Sequence, residues 1–128
     1  MSAADKQFLV DNAKKDGVTT TASGLQYKVI IQGEGAKPSS PATRVKVHYR
    51  GSLIDGSEFD SSYSRNQPLT FALNGVIAGW TEGLQLMPIG SKYVLYIPSE
   101  LGYGASGAGG VIPPNATLIF EVELLDIL

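Results

Sequence analysis

The constraint that most limits this chain is a period-two alternation of apolar and polar residues that returns along most of its length. Over residues 43–53, Val45, Val47 and Tyr49 fall on one face of an extended segment, and Lys46, His48 and Arg50 fall on the other. Leu25, Tyr27, Val29 and Ile31 repeat the pattern, as do Leu69, Phe71 and Leu73, and then Leu118, Phe120, Val122 and Leu124. Successive side chains of a strand point to opposite faces, so such segments fit half-buried strands of an antiparallel sheet. Residues 91–98 are β-forming throughout. Gly33-Glu34-Gly35, Pro38-Ser39-Ser40-Pro41 and Asp55-Gly56 punctuate the strands as turns, the last as a hairpin signal. One internal stretch departs from the pattern. Val76-Ile77-Ala78-Gly79-Trp80 follows the turn signal Asn74-Gly75, and the spacing predicts a short helix to about Leu86, stopped by Met87-Pro88-Ile89-Gly90. The expectation is an α+β fold, an antiparallel sheet with that helix packed on one face.

The N-terminal segment reads differently. Residues 2–16 predict a helix opened by a capping box at Ser2-Ala3-Ala4-Asp5 and closed at Gly17, with a thin apolar stripe of Phe8, Leu9 and Ala13. Residues 18–23 read as a linker. No long apolar stretch follows Met1 in the manner of a secretory signal, and no stretch reaches the roughly 18 apolar residues of a membrane helix. At 128 residues, 43% of them apolar, the chain suits one domain with a core. A net charge of -2, spread out, gives nucleic acid no electrostatic footing.

Reactive chemistry finds little support. With no cysteine, disulfides and thiolate zinc sites are excluded. His48 is the only histidine and sits on the polar face of its strand, which fits a surface residue better than a catalytic base or a metal ligand. Gly102-Tyr103-Gly104-Ala105-Ser106-Gly107 has the spacing of a dinucleotide-binding turn, but Ala108 to Pro114 cannot open the helix that such a site needs. Two features stay open on the residues alone. Asp60 and Arg65 either cap a surface turn or form an oriented pair facing an aromatic cavity. Trp80, the only tryptophan, either fills the core or floors a pocket. Tyr103, in a glycine loop beside Val111-Ile112-Pro113-Pro114, suggests a flap over an apolar site.

Taken in order, Val45-Lys46-Val47-His48-Tyr49-Arg50-Gly51, Gly56-Ser57-Glu58-Phe59-Asp60-Ser61-Ser62, Val76-Ile77-Ala78-Gly79-Trp80, Gly102-Tyr103-Gly104 and the run from Val111 to Leu125 resemble the FKBP-type peptidyl-prolyl cis-trans isomerases. The likeness covers residues 24–128, an isomerase domain. Phe8 to Val18 with Thr21 to Tyr27 resembles the bacterial macrophage infectivity potentiator (Mip) subgroup, in which a long helix precedes that domain. Residues 1–23 would then be the end of a linker helix and a linker. The resemblance implies a strongly twisted antiparallel sheet wrapped around one short helix. It implies a catalytic set of Tyr49, Phe59, Asp60, Trp80, Tyr103 and Phe120, and a substrate-binding set of Arg65, Leu69, Val76, Ile77, Val111 and Ile112. Leu69 and Ala108 stand where the best-known eukaryotic members have Phe and His. The implied reaction needs no cofactor and no metal. Implied partners are proline-containing peptides, unfolded proteins and the macrolides rapamycin and tacrolimus, with no nucleic acid and no membrane. This chain would be a monomer, with dimerisation in a longer parent. A cytoplasmic location is expected, or a periplasmic or envelope one if the chain is part of an exported parent. The rival readings are a binding module without activity and a chaperone.

Overall fold

The computed structural model describes residues 3–128. The chain forms helix α1 (Ala3–Ala13), strands β1 (Val18–Thr20), β2 (Gln26–Ile31), β3 (Arg44–Leu53) and β4 (Glu58–Ser61), and the one-turn helix α2 (Ser62–Arg65). Strand β5 (Leu69–Ala72), helix α3 (Ala78–Leu84) and strands β6 (Lys92–Ile97) and β7 (Leu118–Ile127) follow. All strands join one antiparallel sheet in the order β1-β2-β6-β7-β3-β4, and β5 pairs with the same edge of β3 as β4. This is the expected α+β class.

The alternation does its work where the sheet is widest. Val45, Val47 and Tyr49 of β3, Tyr93, Leu95 and Ile97 of β6, and Leu118, Phe120, Val122 and Leu124 of β7 are all buried. They meet Trp80 and Leu84 of α3, with Met87 just beyond it. The helix can lie this close because it presents glycines to the sheet. A Cβ on Gly79 would come within 2.7 Å of Ile97 Cγ2, and one on Gly83 within 2.8 Å of Leu95 Cδ1. The expected helix start moves forward: Val76 and Ile77 are extended, and α3 begins at Ala78.

The outer edge of β3 is shared. β5 covers residues 44–47 and β4 covers residues 50–52, which leaves Tyr49 between them with no strand on that side. α2 sits at this gap. Beyond α3, the long loop after β6 contains a tight hairpin in which Ala108 and Ile112 exchange backbone hydrogen bonds. Its central residues, Gly109 and Gly110, have φ of 54° and 75°, so the glycines serve a left-handed turn and not a phosphate cradle.

Several expectations at the N-terminal end are corrected. Ser2, the expected cap, lies outside the described residues. The helix ends at Ala13, not at residue 16. Its buried residues are Asp5, Leu9 and Asn12, and Phe8 is half-buried against Tyr96, so Phe8 and Leu9 of the expected stripe pack inward with polar partners beside them while Ala13 is exposed. Asn12 donates to Gln26 Oε1 (2.8 Å), Gln26 donates to the Leu9 carbonyl (2.9 Å), and the Asp5 carboxylate accepts the Thr117 backbone N–H (2.7 Å). Part of the expected linker is a strand: β1 pairs through Val18–Lys28, Thr19–Tyr27 and Thr20–Gln26. On β2 the inward pattern fades after Tyr27. Beyond the end of β1 a register shift against β6 leaves Val29, Ile30 and Ile31 exposed by 39–54%.

Candidate active site

A cavity of about 450 Å³ opens at the end of the sheet beside α3. Tyr49 of β3, Phe59 and Asp60 of β4, Leu69 of β5, Gly75, Val76 and Ile77 before α3, Trp80 of α3, Tyr103 of the loop and Phe120 of β7 line it. Trp80 is only 4% exposed and sits among three rings. Tyr49 and Phe120 meet it edge to face, with centroids 5.1 Å away and interplanar angles of 76° and 84°. Phe71 supports it from the side at 5.4 Å. Phe59 meets Phe120 edge-on at 5.5 Å. These are the favoured arrangements of aromatic quadrupoles, and they make a stiff wall. The crossing needs Gly51, because a Cβ there would fall 2.6 Å from Phe120 and 2.7 Å from Phe59. The Trp80 Nε1–H is buried and has no hydrogen-bond partner among the described residues. The indole therefore floors the pocket and also belongs to the core.

One charged group, Asp60, lies in this wall. It accepts from the Tyr49 hydroxyl (2.5 Å), from Arg65 Nη1 (2.5 Å) and from the Ser61 backbone N–H (2.9 Å). Arg65 Nη2 also donates to the Tyr49 oxygen at 2.9 Å. Local chemistry sets this up. Ser61 caps α2 by accepting from the Ser64 N–H, Asn66 ends the turn in the left-handed region at φ 51°, and Arg65, the last residue of the turn, lies over the Tyr49 ring. Burial by itself would raise the Asp60 carboxyl, but the Tyr49 and Arg65 donors outweigh it and hold the group below its ordinary 3.8. Burial first, then the bond to Asp60, raises the Tyr49 hydroxyl above 10.0. Asp60 therefore stays an anion and Tyr49 stays a donor, each saturated by the other and by Arg65. The oriented-pair reading of Asp60 and Arg65 is the one realised.

Among the sequence-derived candidates, Tyr49, Phe59, Asp60, Leu69, Val76, Ile77, Trp80, Tyr103 and Phe120 converge on the cavity. Arg65 stands outside the wall and acts through its two partners. Val111 and Ile112 stand apart from this group. Val111 is 57% exposed at the hairpin turn and Ile112 is buried in the core, because the tight turn places one outward and the next inward; neither lines the cavity. Gly75, a lining residue, was not among the candidates, since a glycine carries no chemical signal. His48, expected at the surface, is half-buried, stacked on Tyr63 and bonded to Ser62.

Residues 35–125 match the family model described as FKBP-type peptidyl-prolyl cis-trans isomerase. The chain belongs to this family. Residues 1–29 match the domain amino terminal to FKBP-type isomerases, which accords with the Mip-like resemblance. The chain is 59% identical over its whole length to the FKBP-type 22 kDa peptidyl-prolyl cis-trans isomerase of Escherichia coli K12, and spans 62% of that protein. It is 49% identical to the outer membrane protein MIP of Legionella longbeachae, over 94% of this chain and 51% of the relative. The crystal structure of FkpA from Escherichia coli superposes with a TM-score of 0.93 at 50% identity, covering 98% of this chain and 58% of that one. The chain thus spans roughly half to three-fifths of these relatives. A relative named for the outer membrane leaves the cytoplasmic expectation without support. No described helix is long and apolar enough to cross a membrane.

Proposed function

We propose that this FKBP-type domain accelerates cis–trans rotation about X-Pro bonds by holding the twisted amide in the Trp80 pocket. One observation carries the reading: an aromatic cavity of about 450 Å³ whose single carboxylate is already saturated. Such a site offers shape and low polarity, not a nucleophile. Resonance sets the rotation barrier of about 18–20 kcal/mol. Twisting removes resonance and makes the amide less dipolar, so an apolar wall favours the twisted form over the planar one. Only that difference accelerates the step, and about 1.4 kcal/mol of it gives tenfold.

In this reading the prolyl ring lies on Trp80 between Tyr49, Phe59 and Phe120. The Ile77 N–H and the Tyr103 hydroxyl hold substrate carbonyls. Tyr103 is 41% exposed and free to meet a chain arriving from solvent. Asp60 keeps Tyr49 and Arg65 in place and lends a negative edge to the carbonyl carbon. Unfolded proteins with accessible X-Pro bonds are the natural substrates, and the same apolar walls suit rapamycin and tacrolimus. This chain acts as a monomer, with dimerisation left to a longer parent.

The deciding experiment is the isomerisation rate of a short X-Pro peptide, read by protease coupling or by NMR exchange. Acceleration abolished by rapamycin is expected. Rapamycin binding by calorimetry without acceleration would leave a binding module instead, and suppression of aggregation without acceleration would leave a chaperone.

A further inference from the structure

Tyr103 reaches the cavity from a loop, so the backbone beneath it decides where its ring and hydroxyl stand. It is 41% exposed and lies between two short 3₁₀ turns, Ser99–Leu101 and Gly104–Ser106. The limb that carries it rests on one stretch of chain, residues 115–118. The Gly104 carbonyl accepts from the Asn115 N–H at 2.8 Å. On the other side of Tyr103, a Cβ on Gly102 would come within 3.2 Å of Leu118 Cδ1. Both chain neighbours of Tyr103 therefore lie against 115–118, and the place of Tyr103 follows that stretch.

The stretch is anchored from the far end of the sequence. Pro113 and Pro114 precede it and have no N–H to give. Asn115 turns the chain in the left-handed region at φ 60°. The pairing of β7 with β3 and β6 begins only at Leu118. Between these points the Thr117 N–H donates to Asp5 Oδ1 of α1 at 2.7 Å, across 112 residues of sequence. Thr117 is fully buried and Asp5 is 9% exposed. A bond to a carboxylate is shorter and stronger than a neutral one. A cavity of about 230 Å³ lies alongside, lined in part by Asp5, Pro113, Pro114 and Thr117. Packing therefore leaves the stretch room to shift, and the Asp5 bond is what limits it.

We propose that Asp5 is a positioning residue of the isomerase pocket: by holding the Thr117 N–H it fixes the stretch on which the Tyr103 limb rests, and with it the reach of Tyr103 over the cavity. Helix α1 thereby enters the working of the pocket through one carboxylate. The effect on rate rests on the isomerase reading; the clamp itself does not.

The test is a double-mutant cycle between Asp5→Ala and Tyr103→Ala, read by kcat/KM on an X-Pro peptide and by amide exchange in NMR. Asp5→Ala should lower kcat/KM about threefold and speed exchange of the Asn115 amide about tenfold. Tyr103→Ala should lower kcat/KM about tenfold. Because Asp5 acts through Tyr103, the double variant should stay near that tenfold loss, whereas independent effects would multiply to about thirtyfold. Asp5→Asn, which keeps an oxygen acceptor for the Thr117 N–H, should remain within about twofold of wild type in both measurements. A multiplied loss overturns the proposal, as does an Asn115 amide that exchanges in Asp5→Ala as it does in wild type. An Asp5→Asn protein as impaired as Asp5→Ala does the same. Faster Asn115 exchange in Asp5→Ala, restored in Asp5→Asn, in a protein that accelerates nothing would leave the clamp standing and remove the isomerase reading.

Discussion

Trp80 is asked to do two things at once, and truncation separates them. Replacing a buried Trp by Ala typically costs about 3–5 kcal/mol. Here one face of the indole already borders a cavity, so Trp80→Ala should fall near the low end, about 3 kcal/mol, in urea denaturation. Its kcat/KM should fall more than about tenfold, because Tyr49 and Phe120 lose the ring that spaces them. Trp80→Leu retaining full activity at wild-type stability would refute the pocket assignment. Asp60 gives a second residue-scale expectation. Its folded-state carboxyl lies below 3.8, so its pairing stabilises the native state above that value and is lost as the pH falls through the lower, folded value. Acid unfolding of Asp60→Asn should therefore lack part of the wild-type loss below about pH 4, while the two proteins run parallel between about pH 5 and 8. In the proposed mechanism Asp60 acts by position and not by proton transfer, so this variant should keep measurable isomerase activity. The sequence left Asp60 and Arg65 undecided for a physical reason: a five-residue spacing does not say which way the turn between them faces. The Ser61 cap, which folds the intervening residues into one helical turn, brings Arg65 back to Asp60 and Tyr49.

At the scale of elements, α3 poses a contest between helix propensity and packing. Ala is favoured over Gly inside a helix by about 1 kcal/mol. A Cβ at Gly79 would meet three atoms of Ile97 within 2.9 Å, and Ile97 is fully buried in β6 and unable to move aside. Overpacking of this kind costs about 1–3 kcal/mol, so packing wins. Gly79→Ala should be less stable than wild type by about 1–2 kcal/mol in denaturant titration, with reduced activity as Trp80 is pushed off the sheet. A stabilised Gly79→Ala would mean that α3 does not lie against β6 as described. The long strands were legible because their period is set by burial on one face. β1 was not: three residues, Val-Thr-Thr, carry too little pattern, and what makes them a strand is the partner that follows after a turn. Val29–Ile31 misled in the opposite sense, since alternation cannot register where the covering strand stops.

At the scale of the whole molecule, α1 is attached to the sheet by side-chain hydrogen bonds as well as by Leu9 and Phe8. Asn12, Gln26 and Asp5 make those links across long stretches of sequence. The thin apolar stripe gave no hint of them, because amides and carboxylates on a helix read as solvent-facing until their partners are known. Such an attachment should open before the sheet does. In native-state hydrogen exchange, α1 amides should exchange faster than those of β3, β6 and β7, and Asn12→Ala should lower α1 protection about tenfold without touching the sheet. Equal loss of protection throughout would instead make α1 part of one cooperative unit. The sheet's central pairing, β3 with β7, joins Val45 to Ile127, across more than half of the chain. Little of the pocket exists until that closure is made, since Tyr49 and Phe120 arrive on those two strands.

The solitary indole has an optical consequence. A tryptophan 4% exposed, with aromatic rings on several sides, relaxes its excited state against very little mobile dipole. Its emission belongs at the blue end of the tryptophan range. Whatever enters the cavity touches the chromophore itself, and no second indole dilutes the signal. The molecule is built with its own lamp at the bottom of its cleft.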